Sequence, residues 1–267
     1  MKAQEPLNII NKIYEVREIT NGVYDIDEGR LSTMYLIEGN KRALVIDCGI
    51  GIGNFKGVID SLTKLPYDVA ISHAHVDHIG GRGQFPKIYL HKDDVDIITK
   101  VTPLYRGNYK RIFLKPSLRF NRYPLIKVDR EPEAIPFEDG HCFDLGGRTV
   151  KVIHSSGHTL GSVSFLIVEE AILLTADNVN PVLFLFLPHA DTVENYIKTA
   201  EKILAVPDVK VYWGSHLRKP IEREDIIKTL NNVKLILNTK KNTKHSHYRI
   251  RLFNKSIFVY LSDRIHN

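Results

Sequence analysis

Three histidines and one aspartate crowd into a single segment of the chain. Residues 71–81 read ISHAHVDHIGG, which places His73, His75, Asp77 and His78 within six positions. At neutral pH these side chains are mostly uncharged imidazoles and one carboxylate, so they gain little from one another. The combination indicates that a cation lies between them.

The spacing of these residues predicts two metal ions rather than one. Alternate side chains of an extended segment point the same way, so His73 and His75 can reach one ion together. Asp77 and His78 follow where the chain must turn, and their side chains point in different directions, so we expect a second ion nearby. Imidazole and carboxylate ligands without thiolate favour zinc, with iron or manganese as alternatives.

Three more candidate ligands each follow an apolar strand later in the chain. His158 lies in SSGHTLGS, Asp177 in LLTADN and His216 in WGSH. A carboxylate at the end of an apolar strand is unusual unless it has a partner. Loops at strand ends can carry chemistry on a rigid base, so these residues complete a set of seven candidate ligands.

The order of these residues resembles the signature of the metallo-β-lactamase superfamily. The signature is His-x-His-x-Asp-His, then a Gly-His-Thr histidine, a strand-end aspartate and a distant histidine. The resemblance implies an α/β fold, an αββα sandwich of two mixed β-sheets flanked by helices, with a dinuclear metal site at one edge. It implies two ligand groups that Asp177 would bridge: His73, His75 and His158 for one metal, and Asp77, His78 and His216 for the other.

Three other residues are weaker candidates around the site. Asp47, in LVIDCG, is either an acceptor that fixes a ligand imidazole, as the resemblance suggests, or a turn-forming aspartate. His189, in LFLPHAD, either contacts substrate or packs against the protein. Tyr105 belongs to an aromatic, basic segment that either covers the cleft together with the apolar run 182–188 or packs against the body of the protein.

The pattern of apolar runs predicts a strand-rich domain with helices between the strands. Helical periodicity fits Asn54 to Thr63, Val193 to Leu204 and Glu222 to Leu237. We predict one domain over residues 1–267, with an inserted, partly irregular segment at about 102–124 and a C-terminal hairpin at about 248–261. The predicted strands are Val23 to Ile26, Thr33 to Ile37, Ala43 to Asp47, Val69 to Ser72, Ile88 to His91, Thr149 to His154, Val163 to Val168, Ala171 to Thr175, Val209 to Trp213, Tyr248 to Leu252 and Ser256 to Leu261.

The composition is that of a globular protein, with 43% hydrophobic and 25% charged residues. We expect a cytoplasmic protein without a membrane partner, because no apolar run reaches the length of a membrane helix and the N-terminus lacks the pattern of a secretory signal. With only Cys48 and Cys142, no disulfide framework is expected. The net charge of +6 is concentrated in a basic segment between Thr99 and Val128, which is either a solvated surface or a rim that attracts an anionic substrate or nucleic acid.

Two neighbouring dications predict hydrolysis. Such ions lower the pKa of a bridging water to give hydroxide, and they polarise a carbonyl or phosphoryl oxygen. Asp77 could orient this nucleophile and pass its proton to the leaving group. The first hypothesis is a hydrolase of an ester, lactone or thioester in a small molecule. The alternatives are a metal-dependent phosphodiesterase or nuclease, with nucleic acid as a less favoured partner, and a non-catalytic or redox metalloprotein; a dimer is left open.

Several branches of the resembled superfamily fit the sequence poorly. The glutathione-thioester branch has a GCGR-like stretch after the bridging aspartate, where this chain has DNVNPVLFLF. The homoserine-lactone branch carries tyrosine where this chain has Asn180. β-Lactamases generally lack an acid at the bridging position. The sequence therefore predicts a hydrolase without assigning its substrate.

Overall fold

The computed structural model describes residues 8–10, 13–113, 124–180, 182–185, 189–238, 248–253 and 256–261. The chain divides into two compact units, Met1–Lys151 and Val152–Asn267. The boundary falls inside one strand, Thr149–His154. The assignment of residues 1–267 to one domain, with its inserted segment and hairpin, stays a prediction.

The first unit contains a mixed eight-stranded sheet whose strands lie in chain order. Its first five strands pair antiparallel, and the fifth to eighth pair parallel. Because the carboxyl ends of parallel strands share one edge, the residues that follow these strands come close together. The strands are β1 (Asn8–Ile10), β2 (Tyr14–Thr20), β3 (Val23–Glu28), β4 (Thr33–Glu38), β5 (Ala43–Ile46), β6 (Tyr67–Ala70), β7 (Lys87–His91) and β8 (Glu133–Phe137).

In the described part of the first unit, three α-helices and two 3-10 helices accompany this sheet. Helix α1 (Phe55–Leu62) connects the parallel pair β5 and β6, and its N-cap Asn54 accepts a hydrogen bond from the Gly57 amide. Phe55, Val58 and Ile59 are buried in the core cluster of this unit. The other helices are α2 (Val76–Ile79), α3 (Pro103–Phe113) and the 3-10 helices Arg82–Gln84 and Lys92–Lys100.

Helix α3 lies where the sequence predicted a partly irregular segment. Its start carries a signal that the apolar pattern did not reveal, because the Thr102 hydroxyl accepts a hydrogen bond from the Tyr105 amide. Pro103 occupies the first helical position, where its missing N–H leaves no donor unsatisfied. Capping chemistry rather than hydrophobic periodicity therefore marks this helix.

The second sheet is also mixed and has six strands in the order β15-β14-β12-β11-β10-β9. Strand β12 pairs antiparallel with β11 and parallel with β14. The residues that follow β12 and β14 therefore lie at the same sheet edge. These strands are β9 (Cys142–Asp144), β10 (Thr149–His154), β11 (Val163–Ile167), β12 (Ile172–Ala176), β14 (Val211–Gly214) and β15 (Pro220–Ile221).

The described residues of the second unit also form a three-stranded sheet and two helices. In this sheet β17 (Ser256–Leu261) lies between β13 (Val182–Leu185) and β16 (Tyr248–Phe253). Helices α4 (Val193–Leu204) and α5 (Arg223–Asn238) share a buried cluster with Leu183 and Leu185. Residues 182–185 therefore form a strand with two buried leucines. That this run covers a cleft stays a prediction, and its residues 186–188 lie outside the described residues.

Within the described parts of the chain, no helix is both long enough and apolar enough to span a membrane.

Candidate metal centre

The histidine segment follows β6 at the carboxyl edge of the first sheet. The backbone is extended through His75 and then enters helix α2, whose first turn contains Asp77 and His78. All four candidate ligands of this segment are buried: His73, His75, Asp77 and His78.

The imidazoles of this segment lie against one another. Ring centroids are 4.8 Å apart for His73 and His75, and 3.9 Å apart for His73 and His78. Oδ2 of Asp77, within the same segment, lies 3.6 Å from Nε2 of His78. Nitrogen and carboxylate donors at such separations suit a divalent metal ion of the zinc type.

The neighbouring thiol does not belong to this donor set. The Cys48 side chain is buried and donates to the His78 carbonyl oxygen over 3.1 Å. Burial raises the pKa of the Cys48 thiol well above its ordinary value, with the nearby Asp47 carboxylate as a further cause. A thiol that is held protonated is a poor metal ligand, since the thiolate is the binding form.

Asp47 organises two of the imidazoles from its place directly after β5. Its Oδ2 lies 2.8 Å from Nδ1 of His78, and it accepts the Ser72 hydroxyl over 2.7 Å. The Ser72 hydroxyl in turn lies 3.1 Å from Nδ1 of His73. These contacts engage the Nδ1 atoms and leave each Nε2 as the atom available for a metal, which is how outer carboxylates orient ligand histidines. Asp47 has φ of 63°, an uncommon conformation for a non-glycine residue.

Two contacts to this segment come from residues that sequence reasoning did not single out as site residues. The buried carboxylate of Asp94 accepts the Ala74 amide over 2.8 Å, which fixes the backbone between His73 and His75. The Tyr109 hydroxyl donates to Oδ2 of Asp77 over 2.9 Å. Asp94 follows a strand end in HKDDVD, which was a usable signal, whereas Tyr109 could be found only once α3 was known.

Two residues of the aromatic, basic segment differ in exposure. Tyr105 is 42% exposed, and burial and the Asp77 charge raise its pKa. Whether this segment covers the cleft or packs against the body stays a prediction. Arg106 does not lie at a basic rim, because it is buried and its guanidinium donates to backbone carbonyls. The acceptors are the carbonyl oxygens of Ile50, at 2.9 and 3.0 Å, of Ile126, at 2.8 Å, and of Gly51, at 3.4 Å.

In the second unit, Asp177 lies between two histidines. Its Oδ2 is 3.0 Å from Nε2 of His216 and 3.4 Å from Nε2 of His158. Asp177 follows β12 and His216 follows β14, so the parallel pairing of these strands brings the two residues together. His158 and Asp177 are buried, and His216 is the most exposed of the three.

Asn180 holds the other oxygen of this carboxylate. Its Nδ2 lies 3.4 Å from Oδ1 of Asp177 and 3.3 Å from the Ala176 carbonyl oxygen. A Cβ at position 214 would overlap Oδ1 of Asn180, so a larger residue there requires the Asn180 side chain to move. Ala176 has φ of 47°, so the backbone is in a sparsely populated conformation directly before Asp177.

His189 supports the loop that carries His158. The His189 carbonyl oxygen accepts the Leu160 amide over 3.0 Å, and the Asp191 amide donates to Gly157 over 2.9 Å. The predicted role of His189 as a substrate contact stays a prediction.

The structure thus brings the predicted ligands together in two groups, one in each unit. The first group contains His73, His75, Asp77 and His78, and the second contains His158, Asp177 and His216. That the two groups form one dinuclear site stays a prediction.

The sequence matches one family model and several curated proteins. The model described as the metallo-beta-lactamase superfamily matches residues 27–216. The human protein "Acyl-coenzyme A thioesterase MBLAC2" is 25% identical over 219 residues, which are 73% of this chain and 77% of the human protein. "Atrochrysone carboxyl ACP thioesterase dmxR1" of Cryptosporiopsis sp. is 30% identical over 150 residues, which are 54% of this chain and 37% of that protein.

A solved structure resembles the fold across most of the chain. The metallo-beta-lactamase from Pontibacter korlensis superposes with a TM-score of 0.62 at 17% identity, covering 83% of this chain and 99% of that one. Together with the two mixed sheets and their helices, this match confirms the predicted fold class.

Proposed function

Because the chain belongs to the metallo-β-lactamase superfamily, we propose that it is a metal-dependent thioesterase that hydrolyses an acyl thioester of a small carrier molecule. The prediction of a hydrolytic enzyme is confirmed by this family together with its relatives. The observation that carries the thioester is that two different relatives, MBLAC2 and dmxR1, are both named thioesterases.

Seven residues are proposed to hold two divalent metal ions, most simply zinc. The ligand groups are those of the family pattern, with Asp177 between them: His73, His75 and His158, and Asp77, His78 and His216. Support comes from the contacts inside each unit, where Asp177 lies between two imidazoles and where three buried imidazoles lie side by side. The donor set contains nitrogen and oxygen atoms only, which fits zinc and permits iron or manganese.

When bound, two such ions supply a water molecule of lowered pKa and a Lewis acid for the acyl oxygen. The protein's own residues then fix the geometry. Asp47 and Ser72 hold the Nδ1 atoms of His78 and His73, so that the Nε2 atoms point to the ligand positions. In this proposal Asp77 orients the attacking water and accepts its proton at a carboxylate oxygen.

A thioester suits this arrangement because its leaving group can depart without protonation by a strong general acid. The oxygen of water bonds to the acyl carbon, the carbon–sulfur bond breaks, and the sulfur leaves as a thiolate. An alkyl thiol of the cysteine type ionises at about pH 8.5, far below an alcohol, so the departing sulfur does not require a strong acid. Asp77 can return its proton to the thiolate afterwards, which balances the reaction to a carboxylic acid and a thiol.

Thiol release from acyl-coenzyme A substrates tests the proposal. Zinc-loaded protein is incubated with acyl-coenzyme A of increasing chain length, and the free thiol is measured with a chromogenic disulfide. We expect turnover that is lost in an Asp177→Ala variant prepared in parallel. Thiol release by the wild type no faster than by that variant, at full metal loading, would refute the proposal.

The same preparation separates the alternatives. p-Nitrophenyl acetate and a lactone report an esterase or lactonase, and bis-p-nitrophenyl phosphate reports a phosphodiesterase. The burial of Arg106 on backbone carbonyls removes one of the cations that the sequence offered for phosphate binding. Failure of every substrate with metal bound would favour a non-catalytic or redox metalloprotein.

A further inference from the structure

Helix α3 is held rigidly beside the histidine segment. Arg106 is 1% exposed although it lies in a surface helix, and its guanidinium binds three backbone carbonyls. Two of these belong to Ile50 and Gly51, in the loop that follows Asp47, and the third belongs to Ile126. A cation with this many acceptors is expensive to displace, so the orientation of α3 is fixed in this unit.

The fixed helix carries a tyrosine that contacts one of the candidate ligands. Tyr109 donates its hydroxyl to Oδ2 of Asp77 over 2.9 Å. Tyr105, four residues earlier, lies on the same helix face.

The Tyr109 contact restrains Oδ2 of Asp77, the carboxylate oxygen that also lies near a candidate ligand histidine. Oδ2 of Asp77 accepts from Tyr109 and lies 3.6 Å from Nε2 of His78. A phenol offers a single O–H donor, so this hydrogen bond restrains the Asp77 carboxylate at one of its two oxygens.

We propose that Tyr109 is a positioning residue, which holds the Asp77 carboxylate in the orientation required to bind one of the two metal ions and to direct the attacking water. The inference rests on the proposed function in that Asp77 is taken as a metal ligand. Tyr109 does not touch the substrate in this scheme and acts only through Asp77.

The test compares Tyr109→Phe with a matched removal of a phenol. Tyr67 donates its hydroxyl to Asp60 over 2.8 Å at a part-buried site, so Tyr67→Phe deletes the same kind of bond away from the candidate ligands. Stepwise zinc affinity is measured by competition with a chromophoric chelator, and kcat and KM are measured for thioester cleavage. Zinc affinity gives a readout that does not depend on turnover.

We expect Tyr109→Phe to bind one zinc ion roughly 10- to 100-fold more weakly, the usual effect of losing a residue that orients a metal ligand. The other zinc ion should bind as before, and kcat should fall with little change in KM. Tyr67→Phe should match the wild type in all of these. In an Asp77→Asn background, Tyr109→Phe should change zinc affinity no further, because the residue that it positions has already lost its charge.

Three results would overturn the inference. One is that Tyr109→Phe binds both zinc ions within twofold of the wild type. Another is that it weakens zinc equally in the presence and in the absence of the Asp77 carboxylate, which would make its role generally structural. The third is a wild-type protein that binds no zinc. A wild-type protein that binds two zinc ions without cleaving any thioester refutes the proposed substrate alone, and the zinc comparison still decides the role of Tyr109.

Discussion

The loop that precedes helix α1 is organised around a buried carboxyl group. Glu28 is fully buried at the end of β3. The Ile50 amide donates to its Oε2 over 2.6 Å, and the Ile52 amide donates to its Oε1 over 2.7 Å. Burial raises the pKa of Glu28 from 4.5 to about 7, although the two amides and the Tyr14 hydroxyl act in the opposite direction. The folded state therefore retains a proton at pH values where the unfolded chain has lost it.

This difference makes the stability of the fold depend on pH with a definite sign. Between pH 4.5 and 7 the folded protein binds more protons at Glu28 than the unfolded chain does, so the free energy of unfolding falls as the pH rises. The rise in the pKa of Glu28 from 4.5 to about 7, at about 1.4 kcal/mol for each pH unit, changes the free energy of unfolding by about 3 kcal/mol over that range. The side chain in Glu28→Gln cannot titrate, so this variant lacks the pH-dependent contribution of Glu28 to the free energy of unfolding.

Urea unfolding of metal-free protein at pH 4.5 and at pH 8 measures the effect. We expect the wild type to lose about 3 kcal/mol more than Glu28→Gln between the two pH values. Taking the difference of the two proteins cancels the titration of the histidines, which both share. The reasoning is wrong if the two proteins change with pH in parallel, to within about 1 kcal/mol.

Three further predictions concern the residues around the candidate ligands. Asp177→Ala should lose one metal equivalent and most turnover, measured by elemental analysis and thiol release; unchanged stoichiometry would mean that the bridging ligand is misassigned. Asp47→Asn should weaken zinc roughly 10- to 100-fold in chelator competition, since it removes the charge that holds a ligand imidazole, and an affinity equal to that of the wild type would contradict this role. Gly214→Ala should lower the free energy of unfolding by about 1–3 kcal/mol, because its Cβ overlaps Asn180. The matched change Gly107→Ala, in helix α3 with open space around it, should instead stabilise by about 0.5–1 kcal/mol in the same urea assay.

The candidate ligands could be found from the sequence because the segments that carry them each follow an apolar run that predicts a strand. Asp177 and His216 end two strands that the apolar runs located, and the parallel pairing of those strands places the residues together. Burying a polar or charged side chain at the end of a strand costs free energy unless it has a partner. Such residues can therefore be recognised from the sequence before the fold is known. The fold class followed from the family resemblance that these residues carry.

The residues that support the ligands left no comparable signal. Tyr109 can be assigned to a helix only after the Thr102 cap is recognised, since the helix mixes polar and aromatic residues around Gly107. Its partner Asp77 lies 32 positions earlier. Glu28 reads as part of an EG turn, and its burial depends on amides of a loop more than 20 positions away. Contacts that join distant segments through single side chains have no periodicity to detect. Arg106 was read as a surface charge for the same reason.

The anchoring of α3 by Arg106 has a consequence for how substrate preference can change. Lids that open and close over an active site move by rotation at a few hinge residues, and they break few hydrogen bonds when they move. Here, movement of α3 away from residues 50 and 51 would break the hydrogen bonds between the Arg106 guanidinium and the backbone carbonyl groups of those residues. We therefore expect α3 to keep its place against residues 50 and 51 when exposed side chains such as Leu104, which is 75% exposed, are exchanged.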